Sequence, residues 1–161
     1  MAEKTGCEKV IEIMKEIYAT FHEYEHQTDA MINADLEVLQ RALFTRNELI
    51  EKLEELRQRL DSVIELEQND ERVLLHTLVK GSYVSVPLDD LHKEVQLLQK
   101  NITVAKQRII DKDKVISGQF RNQHIDSRNE LEQLKQTRQK IGYYNSAVVG
   151  RATGQSLNKN L

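Results

Sequence analysis

The segment His22-Glu23-Tyr24-Glu25-His26 matches the HExxH pattern letter for letter. On a helix its two imidazoles share one face and can hold a zinc ion, with Glu23 placed as general base for a water on that ion. Such a site also needs a third ligand and an enclosing wall. Phe21, Tyr24 and Thr28 carry the phase of an apolar stripe, which turns both histidines toward solvent, so we expect a surface pair that binds no metal. Asp111 with Asp113, and Glu51 with Glu54 and Glu55, are further acidic groupings of the kind that mixed-charge helix surfaces produce routinely. Cys7 is the only cysteine, which excludes an intrachain disulfide and a cysteine-rich zinc site and reads as an incidental thiol near a frayed end. There is no glycine-rich phosphate loop and no serine elbow. The expectation is therefore a protein without catalytic residues, metal or other cofactor, with a metal-dependent enzyme as the remote alternative.

The elements that would carry these residues are helices. Leu88, Leu91, Val95, Leu98, Ile102, Ala105 and Ile109 advance by steps of three and four, and so do Leu49, Leu53, Leu56, Leu60 and Val63. Both series form the near-heptad seam along which long helices pack. Among 161 residues there is no tryptophan and a single proline, and 39% are apolar, which favours long helices with a thin core over a sheet. Twenty-three basic and 26 acidic residues are interspersed, giving a formal charge of −3. That mixture supplies no electrostatic footprint for nucleic acid, and the locally basic run of Arg121, Arg128, Lys135, Arg138 and Lys140 lacks interleaved aromatics. No stretch approaches the roughly 20 apolar residues of a membrane span, and the N-terminus lacks a basic region followed by an apolar run, so we expect a cytoplasmic chain without stable membrane insertion.

A first helix should begin between Lys4 and Glu8 and bury Val10, Ile13, Ile17, Phe21, Tyr24, Thr28 and Met31. A tight hairpin around Asn33, Ala34 and Asp35 follows, with Asn33 or Asp35 capping a second helix that carries Leu36, Leu39, Leu43, Ile50, Leu53, Leu56, Leu60 and Val63, with Leu66 at its far end. Residues 73–78 fit a short helix ending before Gly81, and residues 81–87 fit an extended connector. Leu88, Asp89 and Asp90 open another long helix running through Ile116. Residues 117–130 read as a stutter, bend or partner-dependent region, after which Leu131, Leu134, Arg138 and Ile141 resume the seam. The architecture predicted is all-α: an elongated antiparallel helical bundle with coiled-coil-like packing. It spans residues 1–145, residues 146–161 form a flexible C-terminal tail, and monomer and homodimer are equally compatible.

Residues 33–56, NADLEVLQRALFTRNELIEKLEEL, resemble the first half of the FlgN-type flagellar export chaperones, through the Asn33-Ala34-Asp35 junction and the cluster Arg46, Asn47, Glu48, Leu49 and Ile50. The order of hairpin, long later helix and polar tail with Gly154-Gln155-Ser156 after Tyr143 and Tyr144 is also similar. The late helix departs from the family pattern at Phe120, Asn122, Ile125, Asn129 and Leu131. The resemblance implies cytoplasmic binding to hook-filament junction subunits, keeping their helical termini soluble and delivering them to the flagellar export gate of type III secretion, with no bond-making chemistry. The alternative is a coiled-coil adaptor or structural interaction protein. Val115, Ile116, Phe120, Ile125, Leu131, Leu134 and Ile141 are the candidate client surface, unless their interrupted stripe completes the protein's own core. Tyr143, Tyr144 and the tail are the candidate docking segment for the gate.

Overall fold

A computed structural model of the chain describes residues 3–131, with side-chain surroundings defined through residue 123. Its described residues form four helices and no strand: α1 (Gly6–Met31), α2 (Leu36–Glu65), α3 (Asn69–Val79) and α4 (Asp90–Leu131). These pack on one another as an all-α bundle.

Local chemistry fixes the helix starts. Thr5 Oγ1 accepts the Glu8 amide N–H at 3.2 Å, Asp35 Oδ1 accepts that of Val38 at 2.9 Å and Asp89 Oδ1 accepts that of His92 at 2.8 Å. Each cap satisfies one of the amides that a helix start leaves without an intrahelical partner. Two helix ends use left-handed backbone. Asn33, at φ 57°, breaks the chain away after α1, a conformation that asparagine tolerates better than most residues. At the end of α3, Gly81 takes φ 75°, its N–H donates to the Leu78 carbonyl at 3.0 Å, and the Ser82 N–H donates to that of Thr77 at 3.1 Å. That paired closure is the Schellman arrangement, and glycine is the residue that adopts it without a β-carbon clash.

The chain divides into two compact units. The first takes residues up to His26 together with Asn47–Gln107. In it α1 and α2 are antiparallel, with Glu16 paired to Arg59 at 3.5 Å. Helices α1 and α4 run parallel, since Lys15 meets Glu94 at 3.4 Å and, further along both, the Lys106 ammonium lies 5.5 Å over the Phe21 ring. Helix α3 begins beside the start of α4, where Glu71 meets His92, and ends with Gly81 backed onto Gln99. The connector then returns so that α4 starts at the level where α3 began. Val10, Tyr24, Ile64, Leu75, Val95 and Ala105 are fully buried here, so each of the four helices buries apolar side chains in this unit.

The second unit takes Gln27–Arg46 and the chain from Arg108. Met31, Leu39, Ala42 and Ile116 form its buried cluster, with Ile32, Ala34, Leu43 and Phe120 packed against it. Asn33 and Gln119 bond reciprocally: the Asn33 N–H donates to Gln119 Oε1 at 3.1 Å, and Gln119 Nε2 donates to Asn33 Oδ1 at 2.7 Å. Lys112 pairs with Asp29 at 2.6 Å, so α1 and α4 are parallel in this unit too.

Residues 117–130 correct the sequence reading, because α4 continues through them without a break to Leu131. The seam does not stop at Ile116: Phe120, one turn on, packs on the same cluster. Gly118 leaves no packing defect, since a β-carbon there would meet nothing within 4 Å. Helix α3 also starts at Asn69, earlier than the predicted 73. The remainder of the predicted domain, 132–145, and the predicted tail, 146–161, lie outside the described residues.

Candidate functional site

Three helix starts converge in the first unit. Cys7 sits in the first turn of α1, Glu71 in the first turn of α3 and His92 in the first turn of α4. The Cys7 sulfur, a Glu71 carboxylate oxygen and a His92 ring nitrogen all lie within 4.8 Å of one another. His92 Nε2 is 2.7 Å from Glu71 Oε1, and Nδ1 is 2.6 Å from Asp89 Oδ1, the oxygen that also caps α4. Cys7 is buried, 6% exposed, inside the first turn of α1 and not at a frayed end.

The electrostatics oppose nucleophilic catalysis by this sulfur. Burial, reinforced by the negative charge of Glu71, Asp89, Glu67 and Glu8, pushes the Cys7 thiol up to about 12, so it is protonated at neutral pH. For His92, burial disfavours the charged ring, but hydrogen bonds to Glu71 and Asp89 and their charge outweigh it and hold the ring above its ordinary value. The His92 amide and ring, both bonded to Asp89, hold that carboxyl low. Cys7, His92 and Asp89 thus have the residue types of a cysteine-protease triad without its activated thiolate. An imidazole held between two carboxylates beside a buried thiol is what the geometry describes.

The other candidates fall elsewhere. His22 and His26 are exposed, and the Tyr18 ring stands edge-on to His22, with centroids 4.6 Å apart. Within the predicted client surface, Val115 is 53% exposed, whereas Ile116 is 2% exposed in the second unit's cluster and Phe120 packs against that cluster. Ile125 and Leu131 lie on α4 where side-chain surroundings are not described, and Leu134, Ile141, Tyr143 and Tyr144 lie outside the described residues. Between α1 and α2 of the first unit runs an open groove of about 680 Å³, with Ile13 and Val63 among charged residues that include Lys9, Glu16 and Arg59.

Sequence reasoning missed the cluster around Cys7 because its members come from three separate helix starts. It also missed a buried ion pair in the second unit, where Arg46 Nη1 and Nη2 donate to Asp113 Oδ1 and Oδ2 at 3.0 and 3.1 Å and Nη1 lies 3.0 Å from Met31 Sδ. Burial raises the Asp113 carboxyl, and the Arg46 charge and hydrogen bonds pull it back without cancelling the rise.

No family model, curated protein or solved structure matches this chain. Among the described residues, no helix is long and apolar enough to cross a membrane.

Proposed function

We propose that this protein is a binding protein of the flagellar export chaperone type, taking the helical terminal segment of a hook-filament junction subunit and handing it to the export gate. The observation that carries the reading is the course of α4 in the second unit. Gln119 meets the α1–α2 hairpin at its turn, yet α4 continues to Leu131, about 18 Å further at 1.5 Å per residue. That continuation carries Ile125 and Leu131, and Val115 is exposed one turn before the hairpin's end. A helix projecting beyond its own hairpin offers a second amphipathic helix a side to lie along. The resemblance of residues 33–56 to the FlgN-type family supplies the class of client, and the work is binding without bond-making.

The test is co-purification of the full chain with hook-filament junction subunits, repeated with Leu131→Asp and Val115→Asp and with a chain ending at Gly142. Loss of the client complex in the aspartate variants with unchanged melting supports the reading. A Gly142-ended chain that keeps the client but loses the gate would assign Tyr143, Tyr144 and the tail to the gate. An intact chain that binds neither overturns it.

A second reading, a coiled-coil adaptor, draws on Leu97 and Val104, seven residues apart on α4 and both more than half exposed. Self-association in sedimentation velocity that Leu97→Asp abolishes would favour it.

A further inference from the structure

We propose that Cys7, Glu71 and His92 form a binding site for a divalent transition-metal ion, zinc by preference. A thiolate, an imidazole and a carboxylate make a mixed donor set of the kind zinc takes in tetrahedral geometry, and the sulfur selects against magnesium and calcium. The three donors already lie within 4.8 Å of one another, a spread that small side-chain movements bring to bonding distance around one ion.

Two further observations point to an ion. Cys7 is 94% buried, and its sulfur faces the Glu71 carboxylate and the His92 ring instead of solvent. Asp89 holds His92 from behind, accepting from Nδ1 at 2.6 Å while the His92 amide anchors the same oxygen. A carboxylate behind a histidine is the arrangement that orients metal-ligating imidazoles, because it keeps the proton on Nδ1 and presents the Nε2 lone pair to the ion. Nε2 is the nitrogen that faces Glu71, at 2.7 Å.

The charges balance. On metal entry the Cys7 thiol loses its proton and a sulfur–metal bond forms. The lone pair of neutral His92 at Nε2 forms a nitrogen–metal bond, and Glu71 contributes an oxygen without proton change. The thiol proton leaves to solvent, and a doubly charged ion meets one thiolate, one carboxylate and a neutral imidazole. Three protein donors leave the fourth position to water. The ion would tie together the first turns of α1, α3 and α4.

The experiment uses the full chain without a histidine tag, stripped with a chelator and titrated with zinc sulfate alone in a calorimeter, then with cobalt(II) in a spectrophotometer. We expect one equivalent of zinc, a thiolate-to-cobalt charge-transfer band in the near ultraviolet and a zinc-dependent rise in melting temperature. Cys7→Ser should retain its helical circular dichroism, lose the sulfur band and lose the melting rise. Asp89→Asn, which preserves the helix cap, should weaken zinc roughly 10- to 100-fold. His22→Gln combined with His26→Gln should leave all three readouts unchanged. The proposal is overturned by absence of stoichiometric zinc uptake, by a cobalt complex lacking the sulfur band, or by uptake that disappears with His22 and His26 and survives Cys7→Ser.

Discussion

Arg46 and Asp113 each occupy a position in their helix's buried seam where the spacing asks for an aliphatic side chain, and they meet there through two parallel hydrogen bonds of 3.0 and 3.1 Å. On α2 the seam reads Leu39, Ala42, Arg46, and on α4 it reads Ala105, Ile109, Asp113, Ile116. Arg46 is 1% exposed and Asp113 14%. A charge so enclosed is tolerable only with its partner, so Asp113→Asn or Arg46→Met alone should cost about 3–5 kcal/mol in urea unfolding. The double variant Arg46→Met with Asp113→Leu should recover most of that loss. Single-variant losses below about 1 kcal/mol would show that the pair is not enclosed in solution.

The same pair sets a pH dependence. Burial raises the folded Asp113 carboxyl above its unfolded value of about 4, so the folded state holds this proton more readily. Its contribution is therefore most favourable below the unfolded value and declines as pH rises through the folded one. Removing Arg46 removes the influence that opposes the rise, so Arg46→Met should show a steeper decline over that acid range than the parent. Parallel stability–pH curves for the two proteins would refute this.

For Cys7, protonation and burial act together. In chelator-treated protein at pH 8, the folded chain should react with a disulfide reagent or iodoacetamide far more slowly than the urea-unfolded chain. Equal rates would place the thiol at the surface.

Val115 and Ile116 are neighbours with opposite surroundings, so truncation separates them. Ile116→Ala should cost about 2–5 kcal/mol, as for large core residues, while Val115→Ala should stay within about 0.5 kcal/mol of the parent. Similar losses at both positions would contradict the packing of α4 in the second unit.

Gly81 and Gly118 differ in the same instructive way. Alanine at 81 must adopt a φ of 75° and approaches Gln99 Nε2 at 3.3 Å, so Gly81→Ala should destabilise by about 1–2 kcal/mol. Gly118 lies inside a helix with open space beyond it, so Gly118→Ala should stabilise by about 0.5–1 kcal/mol. Thermal denaturation of both variants checks the pair, and a melting rise for Gly81→Ala would be inconsistent with the closure of α3.

The helices were legible in sequence because the forces that make them are local and periodic. The apolar steps through α1, α2 and α4, the cap at Asp35 and the stop at Gly81 all act within a turn or two. What stayed hidden depends on partners far along the chain. Arg46 reads as one more charge on a charged helix until the gap it fills in the α2 seam is set against the gap Asp113 fills in α4. The convergence of Cys7, Glu71 and His92 has no sequence spacing at all, since it follows from the return of the connector after α3. Residues 117–130 misled because glycine and amides weaken the helical signal, while Ile116 and Phe120 still supply the contacts that continue it.

The parallel course of α1 and α4 imposes an order in time. The α1–α2 hairpin closes between neighbours in sequence, but the Asn33–Gln119 pair joins residues 86 apart. On a ribosome adding about 5–20 residues per second, roughly 4–17 s pass between the synthesis of Asn33 and that of Gln119. Through that interval the nascent hairpin carries Met31, Leu39 and Ala42 without the Ile116 that later covers them, and Arg46 without its carboxylate. Birth of the protein therefore passes through a sticky, half-covered hairpin, and the arrival of α4 both seals its apolar face and neutralises its buried charge.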